Sequence, residues 1–195
     1  MPKIVSNREK EMILDAIYQV VIKLIKEKGV RGVTVDEIAQ NVNMAKGSFY
    51  KYYSTKEKCL YEVIKRSESE MFERMRAELV SLKPCKSLVV NVLCEFFIAE
   101  DSLVLYTTPE DLAVLTRKLP LEYIEREQVI STDYFEQTLH LLQIDKEKIN
   151  FGVLTHLMNS LHFIASKRNS QPGREDALRL IVDTIAEYLA RRIVL

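Results

Sequence analysis

The sequence predicts an all-α protein. Only five glycines and five prolines interrupt 195 residues, apolar residues recur at spacings of three and four in nearly every segment, and N-cap residues stand in front of those segments. No stretch alternates apolar and polar residues with the period of two that a half-buried strand requires. About nine helices are expected. A three-helix unit of helix-turn-helix type occupies residues 1–55, and a larger helical domain occupies residues 56–195.

The first helix starts at Arg8, carries Ile13, Ala16, Ile17, Val20, Val21, Leu24 and Ile25 on one stripe, and closes at Lys26, Lys28 and Gly29. Thr34-Val-Asp-Glu37 reads as a capping box, opening a short second helix through Ile38 and Ala39. Asn41-Val-Asn-Met44 is the next break, because asparagine tolerates the left-handed conformation of a tight turn. A third short helix is expected over residues 45–53. Ser54-Thr-Lys-Glu57 offers another N-cap, opening a long helix that reaches Leu82 before Lys83-Pro84 stops it.

Beyond Pro84 a helix over Leu88–Ala99 is apolar on nearly every side, and Thr108 with Pro109 caps another. A longer one is expected from Leu121 to Leu142. Asp145 is read as the cap of a helix with Ile149, Gly152, Val153, His156, Leu157, Ser160, Leu161 and Ile164 on one stripe. Asn169-Ser-Gln-Pro-Gly173 separates it from a final helix bearing Leu178, Ile181, Val182, Ile185, Leu189 and Ile193.

Composition narrows the function classes. Apolar residues make up 47% and charged residues 29%, an ordinary globular balance. The cysteines Cys59, Cys85 and Cys94 are odd in number and contain no CxxC, so neither a disulfide framework nor a zinc site is indicated, and a reducing cytoplasm suits them. No apolar h-region follows a basic start, and no apolar run approaches the ~18 residues of a membrane span. Net charge is +0, yet residues 1–60 hold 11 Lys/Arg against 7 Asp/Glu, leaving the remainder acidic. A basic head on an acidic body is the distribution expected when one end approaches phosphate. There is no GxSxG, P-loop, GxGxxG or HExxH, so catalysis is not expected, nor is a cofactor.

Residues 33–53 follow the helix-turn-helix plan, whose second helix enters the DNA major groove. Ala45-Lys-Gly-Ser-Phe-Tyr-Lys-Tyr-Tyr53 mixes small, hydroxyl, cationic and phenolic groups. Lys46, Ser48, Lys51 and Tyr52 are suited to base edges or phosphates, and Gly47 stands where a side chain could block close approach. Thr34 and Lys56 sit at helix starts, where backbone amides and a cation can clamp phosphate oxygens.

Thr34-Val-Asp-Glu-Ile-Ala39, Lys46-Gly-Ser-Phe-Tyr50 and Lys56-Glu57, in this order and spacing, resemble the signature of the tetracycline-repressor (TetR) family over about residues 10–64. The resemblance implies a cytoplasmic homodimeric regulator, a repressor that binds double-stranded operator DNA and is released by a small-molecule inducer held in the helical body. Carried over by position, it implies DNA contacts by Thr34, Lys46, Ser48, Tyr50, Lys51, Tyr52 and Lys56, with Gly47 permitting approach. Three positions depart from the family pattern. Asn43 stands in place of a turn glycine, Ala45 in place of a capping serine or threonine, and Tyr52-Tyr53 in place of histidine and phenylalanine.

Candidate sites in the body are less defined. Asn91 and Glu95 lie one turn apart, either as polar fixtures of a ligand cavity or on a narrow exposed stripe. Phe96, Tyr106, Tyr123 and Tyr134, like Phe97, suit the same cavity or the core. Gly152, His156 and Ser160 make a small-residue stripe that, with Ile181, Ile185 and Leu189, forms either a two-fold four-helix dimer interface or part of the subunit's own core. His156 and His162 differ by six positions and fall on different helix faces, so no metal site is expected.

Overall fold

The computed structural model describes residues 6–166 and 172–194. Among the described residues nine α-helices follow one another: α1 Asn7–Gly32, α2 Val35–Asn41, α3 Lys46–Phe49, α4 Lys56–Leu79, α5 Lys86–Val92, α6 Pro109–Thr116, α7 Leu121–Leu141, α8 Phe151–Ser166 and α9 Arg174–Ala190. No strand occurs among the described residues, only an isolated antiparallel bridge between Ile144 and Ile193. No described helix is long and apolar enough to cross a membrane.

Compactness divides the chain into two units, Met1–Glu68 with Tyr106–Ile124, and Ser69–Leu105 with Glu125–Leu195. In the first, α1 opens on a complete capping box, Ser6 with Glu9. Its stripe of Ile17, Tyr18, Val21, Leu24 and Ile25 is buried, as are Val33, Ile38, Phe49, Leu60 and Ile64 of the same unit. α1 is longer than its periodicity indicates because Gly29, at φ 74°, kinks the chain and a further turn follows. Arg66 joins α4 to α1 through Asp15 at 2.6 Å and lies over the Tyr18 ring. Residues 106–124 are held in this unit by Arg31–Asp111 at 2.8 Å, Lys118–Glu57 at 2.9 Å and an edge-on contact of Tyr61 with Tyr123.

The second unit is built on Phe72, Met75 and Leu79 of α4, Val89 and Val92 of α5, Leu161 of α8 and Val182, Ile185 and Ala186 of α9. Lys86 ties α5 to α9 through Asp183 and Glu187. Phe72 stacks on Tyr134 at 4.6 Å.

Several expected boundaries move, each for a local reason. α4 ends at Leu79, three residues short of Leu82, with Leu82 N donating to Leu79 O in a closing turn. Its cap is Thr55, whose hydroxyl accepts from Lys58 N, rather than Ser54. The apolar run 88–99 is not one helix: α5 gives way to a π segment, Leu93–Phe97, in which Ile98 N reaches back five residues to Leu93 O. Nor is the run buried all round, since Asn91, Cys94 and Glu95 are exposed. Asp145 caps only a 3₁₀ turn, Lys146–Lys148, while the Asn150 side chain caps α8 by accepting from Val153 N. Ile193 lies past α9, where the chain pairs with residues 143–145 instead of continuing the helix. Of the break at Asn169–Gly173, residues 169–171 lie outside the described residues.

Candidate nucleic-acid interface

The helix-turn-helix begins at Thr34, whose extended backbone and hydroxyl end the approach from α1. The hydroxyl accepts from Glu37 N at 3.3 Å and donates to Glu37 Oε2 at 2.5 Å. This is half of a capping box. The Glu37 carboxylate turns to the Lys28 ammonium and to that hydroxyl, which together hold its pKa below the usual carboxylate range. α2 then runs two turns, with Ile38 and Ala39 buried.

The turn depends on Asn43, which adopts φ 53°. Asparagine is among the few side chains that enter the left-handed region at modest cost, so the chain reverses without glycine. Met44 N returns to Ala39 O at 2.9 Å and locks the turn. Ala45 precedes α3 in extended conformation and provides no side-chain cap, as its departure from serine or threonine implies. α3 is short. Only Lys46–Phe49 are α-helical, and residues 50–53 continue as tighter turns in which Lys51 N and Tyr52 N bond three residues back.

One residue anchors α3. Phe49 is fully buried and contacts the Tyr50 ring edge-on at 5.4 Å and the buried Tyr53 ring at 5.9 Å. With Phe49 and Tyr53 turned inward, Lys46, Gly47, Tyr50 and Lys51 are left exposed, while Ser48 and Tyr52 are partly so. Gly47 has an ordinary φ, and a Cβ added to it would meet nothing within 4 Å. The fold of the chain therefore imposes no glycine there.

The cations are not equivalent. Lys46 Nζ lies 2.9 Å from Asp36 Oδ2, and that hydrogen-bonded pair raises the lysine pKa above its ordinary value. Lys56 Nζ donates to Val33 O at 3.0 Å in a partly buried setting, which ties the start of α4 to the end of the α1 segment. Lys51 has no acidic partner among the described residues. The Asp36 and Val33 contacts are absent from the sequence reading. A carboxylate ten positions before Lys46 is visible in sequence, but pairing them requires the turn at Asn43.

The body candidates are not gathered in one place. Asn91 and Glu95 are exposed, which places them on the solvent stripe and not in a cavity. Phe96 is buried and Tyr134 packs against the same apolar cluster, whereas Tyr106 and Tyr123 belong to the first unit. A groove of about 880 Å³ runs along Glu136, His140, Gln143 and Asp145, and none of the six predicted ligand residues lines it. The dimer candidates also divide. Gly152, His156 and Ser160 are exposed and Ile181 is partly buried, but Ile185 and Leu189 face the subunit's own core. The large exposed apolar groups of α8 and α9 are instead Phe151, Val153, Phe163 and Leu180, the last two 62% and 70% exposed. Of the other histidines, His162 Nε2 sits 2.8 Å from Val104 O.

Residues 17–63 match the family model of the bacterial regulatory proteins of the tetR family. No curated protein sequence matches significantly. Solved structures of similar fold include a TetR-family transcriptional regulator from Cytophaga hutchinsonii, with TM-score 0.64 and 12% identity over 99% of this chain and 100% of that one. The regulator FadR from Bacillus subtilis, in complex with stearoyl-CoA, gives 0.56 and 19% identity over 92% and 99%. A transcriptional regulator from Saccharomonospora viridis, in complex with choline, gives 0.60 and 15% identity over 90% and 96%.

Proposed function

We propose that the protein, whose residues 17–63 match the tetR-family model, is a cytoplasmic homodimeric transcriptional repressor released from a pseudo-palindromic operator by a small ligand. The carrying observation is the α3 surface. Its internal face is anchored by Phe49, its external face offers Lys46, Lys51 and Tyr50, and the open side of Gly47 has no explanation within the chain. A closely approaching duplex supplies one. Lys46, Ser48, Tyr50, Lys51 and Tyr52 then meet base edges or phosphates in the major groove, and Thr34 and Lys56 stand at the flanks. Given its bond to Val33 O, Lys56 contributes first by positioning α4 and second by its charge.

Residues 1–55 act as the DNA-binding domain and residues 56–195 as the ligand-binding and dimerisation domain. A second copy covers the exposed apolar groups of α8 and α9, with Gly152, His156 and Ser160 permitting close helix approach. The ligand is small and partly apolar, bound against the body's apolar cluster through Phe96 and Tyr134. Relatives of this fold hold stearoyl-CoA and choline, chemistries too different to transfer a ligand class. Release follows if the ligand binds the non-operator conformation more tightly, shifting the population by that difference.

The test is duplex binding by the purified dimer across a salt series. Affinity is expected to fall steeply with salt and to drop in the Lys46→Ala, Lys51→Ala double variant, whose salt slope should be shallower. A wild-type protein no better than that variant ends the proposal. Repression predicts that target transcription rises on deletion of the gene.

A further inference from the structure

We propose that Asp36 is a specificity-determining residue of the DNA site, which by pairing with Lys46 directs that lysine toward neutral base-edge acceptors and away from phosphate; this rests on the DNA-binding reading above. The pair joins α2 to α3 at 2.9 Å, and both side chains are more than half exposed, so it stands at the surface a duplex would meet. A lysine ammonium has three donors, and Asp36 occupies one. The remaining donors can serve an incoming acceptor without breaking the pair.

The charge of that acceptor then matters. A phosphate oxygen that reaches Lys46 also comes within a few ångströms of the Asp36 carboxylate, and like charges at that range repel even in a water-like dielectric. Guanine O6 and N7 carry no formal charge and meet no such repulsion, so a paired Lys46 discriminates between the backbone, which is the same in every sequence, and base edges, which are not. Lys51 is the internal contrast. It lies on the same short segment with no acidic partner among the described residues, and is free to neutralise phosphate. Glu37, the neighbouring carboxylate, is engaged by Lys28 and Thr34 and leaves Asp36 alone to hold Lys46.

The experiment compares mixed-sequence duplex DNA with an operator selected from a random library, using the full-length protein. Asp36→Asn is expected to tighten mixed-sequence binding about three- to tenfold near 0.1 M salt and to steepen the salt slope by about 0.9, one released counterion. Operator affinity should change less, so the specificity ratio falls. Asp36→Glu, which keeps the carboxylate, should stay near wild type. In a Lys46→Gln background, Asp36→Asn should change mixed-sequence affinity less than twofold. In the wild-type background, Lys51→Ala should cost more mixed-sequence affinity than Lys46→Gln. Thermal melts of each variant confirm folding. If the wild type binds DNA but Asp36→Asn leaves mixed-sequence affinity and slope unchanged, or tightens binding equally without Lys46, the inference falls and the regulator reading stands. A wild type with no salt-sensitive binding defeats both.

Discussion

The head and the body expose opposite chemistries from similar helices. Around α3 the surface is cationic and hydroxylated, with Lys46, Lys51 and Tyr50 outward and Phe49 and Tyr53 inward. On α8 and α9 the exposed groups include Phe151, Val153, Phe163 and Leu180. The first surface is suited to a charged polymer that is bound and released in water, and salt controls such contacts. The second is suited to a partner surface that stays dehydrated. The two faces lie on separate units, and substitutions can test each in turn.

The largest effect is expected at Phe49→Ala, which removes the buried anchor of α3 and should destabilise the head by about 3–5 kcal/mol. Denaturant unfolding reports it, and DNA binding should be lost with it. Next is Phe163→Asp in the body. Because this ring is exposed in the subunit, a folded chain is expected, but self-association should weaken about 30-fold or more, a cost of roughly 2 kcal/mol at an interface anchor. Sedimentation across a dilution series measures it, and unchanged association would remove α8 from the interface.

Ala45→Ser should act in the opposite direction, restoring the missing cap of α3 and stabilising the head by roughly 0.5–1 kcal/mol. The smallest effect concerns pH. Burial pushes the Tyr53 phenol and the Cys59 thiol up from ordinary values of 10.0 and 9.0, with Cys59 and Glu62 adding to the former and Glu62 to the latter. Groups raised in the folded state favour their neutral forms there, so their contribution is complete below the ordinary values and is lost as pH rises beyond them. Head stability should therefore decline above about pH 9, and Tyr53→Phe should reduce that decline. Melts between neutral and alkaline pH provide the check.

In the head, most of what matters was legible in order. The Thr34 cap, the left-handed Asn43 and the uncapped Ala45 are decided by bonds spanning two to five residues, so residue type and spacing suffice. The short α3 was less legible because Phe49 and Tyr53 hold residues 50–53 in tight turns by packing, not by helical propensity. In the body, periodicity revealed helices without revealing their outward sides. α9 carries Ile181 and Ile185 on one stripe and Leu180 beside it, and α8 places Phe163 next to Leu161 and Ile164. Either side of such a helix can satisfy an apolar neighbour.

Residue type and spacing suffice for the all-α class, the order of the helices and the position of the helix-turn-helix, because helix starts and turns are settled by local hydrogen bonds and backbone preference. Tertiary structure decided that Ile185 and Leu189 are core, that Asn91 and Glu95 are exposed, that the run after Pro84 breaks into a π segment, and that Asp36 meets Lys46. Those outcomes depend on which surfaces cover which. Burial and ion pairing between segments are properties of the packed chain, and no window of adjacent residues contains them.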